Sequence, residues 1–286
     1  MTNQFPTSRF TFDPNSKVEN TTIALNPETK KAAGEKPILT MLEKYGYMNI
    51  HMIKQGLSSH GHRTINADKN IRQMQEMGLV NRYTIMSDDP DVPNNDVYVL
   101  SGDVRVRRGI AKAKRIIHDY NMANVPQVLE KMALCQWHLK VTRNMNGKEI
   151  MFNKHVQSAH GRVYVPSLVR VKTRLKKHLY LCGVPVAKGR NYEHIGAFVM
   201  QIVFLTRYFA ENRKRFPSCV LVILCESERQ IEDVSRLMGQ IRQTRDLYLL
   251  YAIDSIVGDD EMNPLEMLYS VSQIDSSPSL DLVKIA

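Results

Sequence analysis

Apolar residues recur at helical spacing in three short runs early in the chain. Ile38, Leu39, Leu42 and Tyr45 mark the first, and Gly46 ends it. Asn49 is placed as the N-cap of a second run carrying Ile50, Ile53 and Leu57. Ser58, Ser59, His60 and Gly61 make a turn. Thr64 is then expected to cap a third helix with Ile65, Ile71, Met74 and Met77 inward and Gly78 as its stop. Leu79 to Ile85 reads as a strand, Ser87 to Asn95 as Asp-, Asn- and Pro-rich turn chemistry, and Asp96 to Leu100 as the returning strand. Three short helices followed by a β-hairpin predict a winged helix-turn-helix domain over residues 35–102. Residues 1–34 lack sustained periodicity and carry Pro6, Pro14 and Pro27, which predicts a flexible arm.

Two helices are expected to link this domain to a second one, within residues 103–145: about Val104 to Tyr120, then Val125 to Arg143. The second holds Val128, Leu129, Met132, Leu139 and the single tryptophan, Trp137. The pattern then changes. Lys148 to Phe152, Arg162 to Val171 and His178 to Val186 read as strands, and Asn191 to Arg215 as a long helix. Cys219 to Cys225 is an unbroken apolar run, as a strand buried on both faces requires. Ser227 and Gln230 form a capping-box pattern before a helix with Ile231, Val234, Leu237 and Ile241 on one stripe. Leu247 to Ile253 is a further buried strand, and strand–helix–strand at this spacing implies a parallel crossover. The fold class is therefore α/β: an N-terminal winged helix, then a mixed sheet flanked by helices over residues 146–254. Residues 255–286 read as an acidic tail that packs as a small terminal element or frays.

Charge narrows the partners. The 286 residues carry 39 Lys and Arg against 29 Asp and Glu, a formal charge of +10. That surplus suits polyanions, nucleic acid before anionic membrane. No apolar run approaches the roughly 20 residues that cross a bilayer, and no secretory signal is visible. Cys135, Cys182, Cys219 and Cys225 form no CxxC pair; three lie in apolar surroundings, and they read as reduced, mostly buried thiols of a cytoplasmic protein. His51, His60 and His62 cluster without a cysteine or acid at zinc spacing, so neither metal nor cofactor is expected. A Walker lysine loop, a GxGxxG turn and a GxSxG elbow are all missing from the sequence.

In a helix-turn-helix the second helix of the motif enters the major groove, and its first residues reach base edges. Here that helix begins near Arg63, with Arg63, Asn66, Lys69, Asn70 and Gln73 outward. Arginine forks onto guanine, while asparagine and glutamine pair with adenine. Arg72 and Arg82 are placed for phosphate contact, and Asn94 and Asn95 sit where a wing tip grazes the minor groove. Arg105, Arg107, Arg108, Lys112, Lys114 and Arg115 crowd the next helix and add phosphate contacts. Arg162, Arg170, Lys172, Arg174, Lys176 and Lys177 form a second basic stretch, either another DNA surface or a solvated edge that discourages aggregation. The competing reading is a protein-binding adaptor, with Met132, Trp137 and Leu139 as a homodimer seam or, alternatively, as core.

Two runs resemble the replication-relaxation family of bacterial plasmids and conjugative elements. One extends from Leu42-Glu43-Lys44-Tyr45-Gly46-Tyr47 through Met74-Gln75-Glu76-Met77-Gly78-Leu79-Val80 to Val97-Tyr98-Val99-Leu100. The other is Val220-Leu221-Val222-Ile223-Leu224-Cys225-Glu226-Ser227-Glu228. The resemblance implies a role in plasmid replication, transfer or transcription regulation, on double-stranded DNA and beside a relaxase or replication initiator. The order of the second domain also resembles the restriction-endonuclease-like core, whose active members hold a divalent ion with an acid on the second strand and an acid-x-Lys on the third. Here Ser167 stands about where the first acid is expected, and His178 to Val186 has no carboxylate. Glu149 is alone among the three strands, and Glu226 and Glu228 read as acids favouring a helix N-terminus. A DNA-binding protein without catalysis is expected. The enzyme alternative is a metal-dependent DNA nuclease.

Overall fold

A computed structural model describes residues 10–21, 23–26, 35–102, 104, 124–173, 177–188, 192–239, 248–254, 263–266, 268–274 and 277–283. The chain divides into two units, Phe12–Cys135 and Gln136–Ala286, with Phe10 and Thr11 grouped with the second.

In the first unit, strand β1 (Lys17–Thr21) is followed by helices α1 (Glu35–Tyr45), α2 (Ile50–Ser59) and α3 (Ala67–Glu76), then strands β2 (Val80–Met86) and β3 (Asn95–Leu100). Ile38, Leu42, Met52, Ile53, Leu57, Ile71 and Met74 are buried, so the three helical stripes share one core. Asn49 caps α2 as its sequence position implies, with Oδ1 accepting from the Met52 N–H at 2.8 Å. Gly78 closes α3 at φ +66°, where the Leu79 N–H donates to the Met74 carbonyl. A side chain at Gly78 would also press on Leu25, 3.2 Å from an added Cβ.

The expected flexible arm is, in its described part, folded. β1 pairs antiparallel with β2, Val18 opposite Ile85, and makes the sheet three-stranded in the order β1-β2-β3. The Asn26 N–H then donates to the Glu76 carbonyl at the end of α3. Asp13 accepts from the Ser87 hydroxyl at 2.7 Å and the Asp88 N–H at 3.0 Å, tying the arm to the hairpin loop. These attachments are backbone ladder bonds and one carboxylate. The polar KVENT strand carries no hydrophobic period.

The second unit runs through α4 (Val125–Asn144, shared with the first unit), β4 (Lys148–Ser158), β5 (Gly161–Lys172), β6 (His178–Pro185), α5 (Tyr192–Glu211), β7 (Cys219–Cys225), α6 (Glu228–Gly239) and β8 (Tyr248–Ile253). The C-terminal segment, expected either to pack as a small terminal element or to fray, supplies β9 (Leu268–Ile274) and β10 (Ser277–Val283), an antiparallel hairpin on the sheet edge. The sheet has seven strands in the order β10-β9-β8-β7-β6-β5-β4. β4, β5 and β6 form an antiparallel meander, whereas β6, β7 and β8 are parallel. Phe198, Ile202, Leu205 and Phe209 of α5 and Ile231, Val234 and Met238 of α6 share one core with Leu221, Ile223, Cys225 and Ile253. Trp137 of α4 is fully buried against Gly183, where an added Cβ would collide with the indole ring. Met132 and Leu139 are buried as well, so the three residues considered for a dimer seam are core within one chain. Among the described residues, no helix is long and apolar enough to cross a membrane.

The ends of the three parallel strands meet at one lysine. Lys188 follows β6, Glu226 follows β7 and Asp254 follows β8. Lys188 Nζ lies 2.8 Å from Glu226 Oε1 and 3.3 Å from Asp254 Oδ2. The Lys188 and Asp254 side chains are 3% exposed and that of Glu226 20%. Burial by itself would push the ammonium pKa down, but the Asp254 and Glu226 carboxylates outweigh burial and hold it above its ordinary value. Glu226 is therefore primarily an ion-pair partner and not, as its place before α6 suggests, a helix-terminus acid. Ser227 does cap α6, accepting from the Gln230 N–H at 3.3 Å, and Gln230 Oε1 accepts from the Glu226 N–H at 2.7 Å.

Two outcomes follow from these contacts. Lys188→Met removes the cation that both carboxylates face at the strand ends and should destabilise the α/β unit by about 3–5 kcal/mol in urea denaturation. The second concerns Asp13. The Ser87 hydroxyl, and then the Asn15 N–H, hold its carboxyl below the usual carboxylate range. Its contribution is thus complete above the unfolded-state pKa and is lost as pH falls through the lower folded value. Hydrogen-exchange protection of β1 should fall over that acidic window in the wild type, and Asp13→Ala should lack it already at neutral pH.

Candidate nucleic-acid interface

The first turn of α3 and the residues leading into it form an exposed polar surface on a closed core. Ala67, Ile71 and Met74 occupy the buried stripe. Arg63, Asn66 and Lys69 are exposed, and so are His60 and His62 in the preceding turn. Asp68 is the acid of this first turn, and Lys54 of α2 pairs with it at 2.6 Å. The positive character of Arg63 and Lys69 therefore meets little local opposition.

Several expected contact residues are placed otherwise. Asn70 is 8% exposed and belongs to the packed side of α3, because it falls beside Ile71 on the inward stripe. Gln73 is half-buried. Arg72 is exposed but pairs with Glu76 one turn on, at 3.5 Å. Arg82 is half-buried and donates to Asp96 across the β2–β3 ladder at 2.8 Å, while Thr84 donates to the other oxygen of that carboxylate. Hydrogen bonding to Asp96 raises the guanidinium pKa, and phosphate would have to displace that carboxylate. Arg105, Arg107, Arg108, Lys112, Lys114 and Arg115 lie outside the described residues.

The start of α3 itself departs from expectation. The helix begins at Ala67, with Asn66 and not Thr64 at the N-cap. Ile65, expected inward, is 87% exposed. Its position explains this: Ala67, Ile71 and Met74 follow the helical period, and Ile65 lies off that stripe.

The hairpin loop is acidic. Asp88, Asp89 and Asp91 are exposed, and Asn94 Oδ1 accepts from the Ser87 N–H within the loop. Asn95 is buried at the start of β3, its side-chain amide donating to the Pro93 carbonyl. Asn95 is therefore withheld from a groove, Asn94 is exposed with its Oδ1 engaged, and the three carboxylates beside it would face phosphate charge of the same sign.

In the α/β unit, His138 is buried between Ser167 and Glu149. Its Nδ1 lies 2.8 Å from Ser167 Oγ and its Nε2 2.7 Å from Glu149 Oε2. An ionised carboxylate only accepts, so with Glu149 ionised Nε2 carries a proton, and in the neutral imidazole Nδ1 then accepts from the serine hydroxyl. Ser167 is fully buried, which withholds its hydroxyl from any substrate. Sequence spacing could not show this network, nor the lysine-centred one, because both are assembled from separate elements. Of the second basic stretch, Arg162, Lys172 and Lys177 are exposed and Arg170 is half-buried, while Arg174 and Lys176 lie outside the described residues. Among the described residues, no group of three or more His, Cys, Asp or Glu side chains could hold a metal ion.

No family model and no curated protein matches this chain. Among solved structures, one that matches is described as the structure of restriction endonuclease FokI, at 12% identity and a TM-score of 0.31. The match covers 78% of this chain and 42% of that one, so this chain spans less than half the length of the enzyme it is compared with. A likeness at that score carries no argument about fold or activity.

Proposed function

We propose that residues 35–102 form a winged helix-turn-helix that binds double-stranded DNA through the exposed start of α3. The carrying observation is that Arg63, Asn66 and Lys69 are all exposed, the first two in the segment leading into α3 and Lys69 in its first turn, while Ala67, Ile71 and Met74 close the opposite side of the helix. Two cations supply phosphate or guanine contacts, and an amide supplies a base contact. The acidic loop between β2 and β3 limits the interface to the helix side. The chain is then a wing-poor reader: α3 enters the major groove, and the hairpin stiffens the domain without touching the backbone.

The α/β unit fits the reading of a non-catalytic, restriction-endonuclease-like relative. Its support is the antiparallel meander followed by a parallel crossover, together with the engagement of Glu149 by His138 and the burial of Ser167. The resemblance to the replication-relaxation family adds the setting: an accessory or regulator of a bacterial mobile element, working beside a relaxase or replication initiator. A cytoplasmic location agrees with four free, buried cysteines.

Fluorescence anisotropy with duplex DNA from the gene's own flanking region tests the central claim. Wild-type protein should bind at low salt, with log affinity falling linearly against log salt concentration. The double variant Arg63→Glu, Lys69→Glu should lose at least about tenfold in affinity. Its salt slope should be shallower by about 0.9 for each phosphate contact removed. Both side chains are exposed, so the circular dichroism spectrum should not change. No binding at low salt sinks the DNA reading; binding that the double variant leaves intact would assign this helix to a protein partner.

A further inference from the structure

Two neighbouring residues at the start of α3 have both given up their ordinary structural work. Asn66 stands at the N-cap, a position where asparagine usually accepts from an N–H of the first turn. Asn49 does so for α2, and Asn124 does so for α4 by accepting from the Gln127 N–H at 3.2 Å. Asn66 makes no side-chain capping bond: its backbone, at φ −103° and ψ 14°, is not in the extended conformation that Asn49 adopts at φ −88° and ψ 172°. Ile65 meanwhile leaves a large branched apolar side chain 87% exposed. A single exposed aliphatic residue is ordinary on any protein surface. The combination is less so: an uncommitted amide and an unburied isoleucine side by side, between Arg63 and Lys69, at the end of the helix that meets base edges.

Resting on the DNA reading above, we infer that Ile65 and Asn66 read an A·T pair in the major groove. The chemistry of the two side chains matches the two halves of that pair. The carboxamide accepts from the adenine N6 amino group and donates to N7. The isoleucine covers the thymine C5-methyl group, the one apolar feature of the major-groove edge. A G·C pair offers neither the amino–N7 pattern on its purine nor a methyl group on its pyrimidine. Arg63 and Lys69 flank the reading pair and hold register through phosphate or guanine. A protein surface as the target of Ile65 is the competing outcome.

The test uses the full chain and three equal-length alternating duplexes: dA-dT, dA-dU and dG-dC. The first two carry the same charge and differ in the thymine methyl group. Wild-type protein should bind dA-dT about fourfold more tightly than dA-dU, the effect of burying one methyl group. Ile65→Ala should bring that ratio to about one while leaving dA-dU affinity unchanged. Asn66→Ala should reduce the preference for dA-dT over dG-dC by about tenfold, within the range for one bidentate base contact. Equal wild-type binding of dA-dT and dA-dU overturns the inference even if all duplexes bind well. So does a ratio that survives Ile65→Ala, or an Ile65→Ala effect seen only as a change in oligomeric state on size exclusion. Failure to bind any of the three duplexes at low salt is a different result, because it removes the DNA reading itself.

Discussion

The α/β unit depends on one ammonium group. A parallel set of strands delivers its C-terminal ends to the same edge, and here those ends carry Lys188, Glu226 and Asp254. The lysine is charged although buried, because two carboxylates offset the cost of taking it out of water. The ammonium fixes the end of β6 against the segments that follow β7 and β8. Gln136 of α4 extends the arrangement by donating from Nε2 to the Asp254 carbonyl at 3.1 Å. The same helix places Trp137 against Gly183 and His138 against Ser167. Successive residues of one helix thus meet β8's end, the middle of β6 and the middle of β5, and the sheet is held in register by polar and apolar contacts together.

The first unit solves a different problem: how to present a short helix rigidly. Isolated helices of this length are marginal in water and take their stability from packing. α3 has a buried stripe, a glycine stop and an arm across its C-terminal end through Asn26. The same arm supplies β1, and Asp13 ties it to the β2–β3 loop. The proposed reading of base edges by this surface calls for this kind of fixed backbone. The electrostatics divide accordingly, with cations at the start of α3 and carboxylates at the hairpin loop. Proposed DNA contact therefore belongs to the helix, and the hairpin keeps a structural part.

Much of this architecture was legible from the chain. The periods of α1, α2 and α3 and the all-apolar run of β7 gave elements close to those observed, because burial of one face or of both faces imposes a pattern on consecutive residues. The capping contacts at Asn49 and Ser227 were equally legible, since a cap acts on N–H groups two or three residues away. Apolar neighbours implied burial for three of the four cysteines, and all four are buried. The candidate interface was legible in part. Arg63, Asn66 and Lys69 are exposed as expected, although Arg63 and Asn66 precede the helix, whereas Asn70 and Arg82 are engaged within the fold.

The sequence by itself determined which stretches could be helix or strand, and that the start of α3 would be polar. Tertiary structure alone decided that a polar arm adds a strand, that the C-terminal segment adds two, and that Glu226 serves a lysine 38 residues away. It also decided that Ile65 faces solvent. The physical reason is range. Periodicity and capping are local interactions encoded within a few residues, whereas ladder bonds and buried ion pairs join groups whose proximity exists only after the chain has folded.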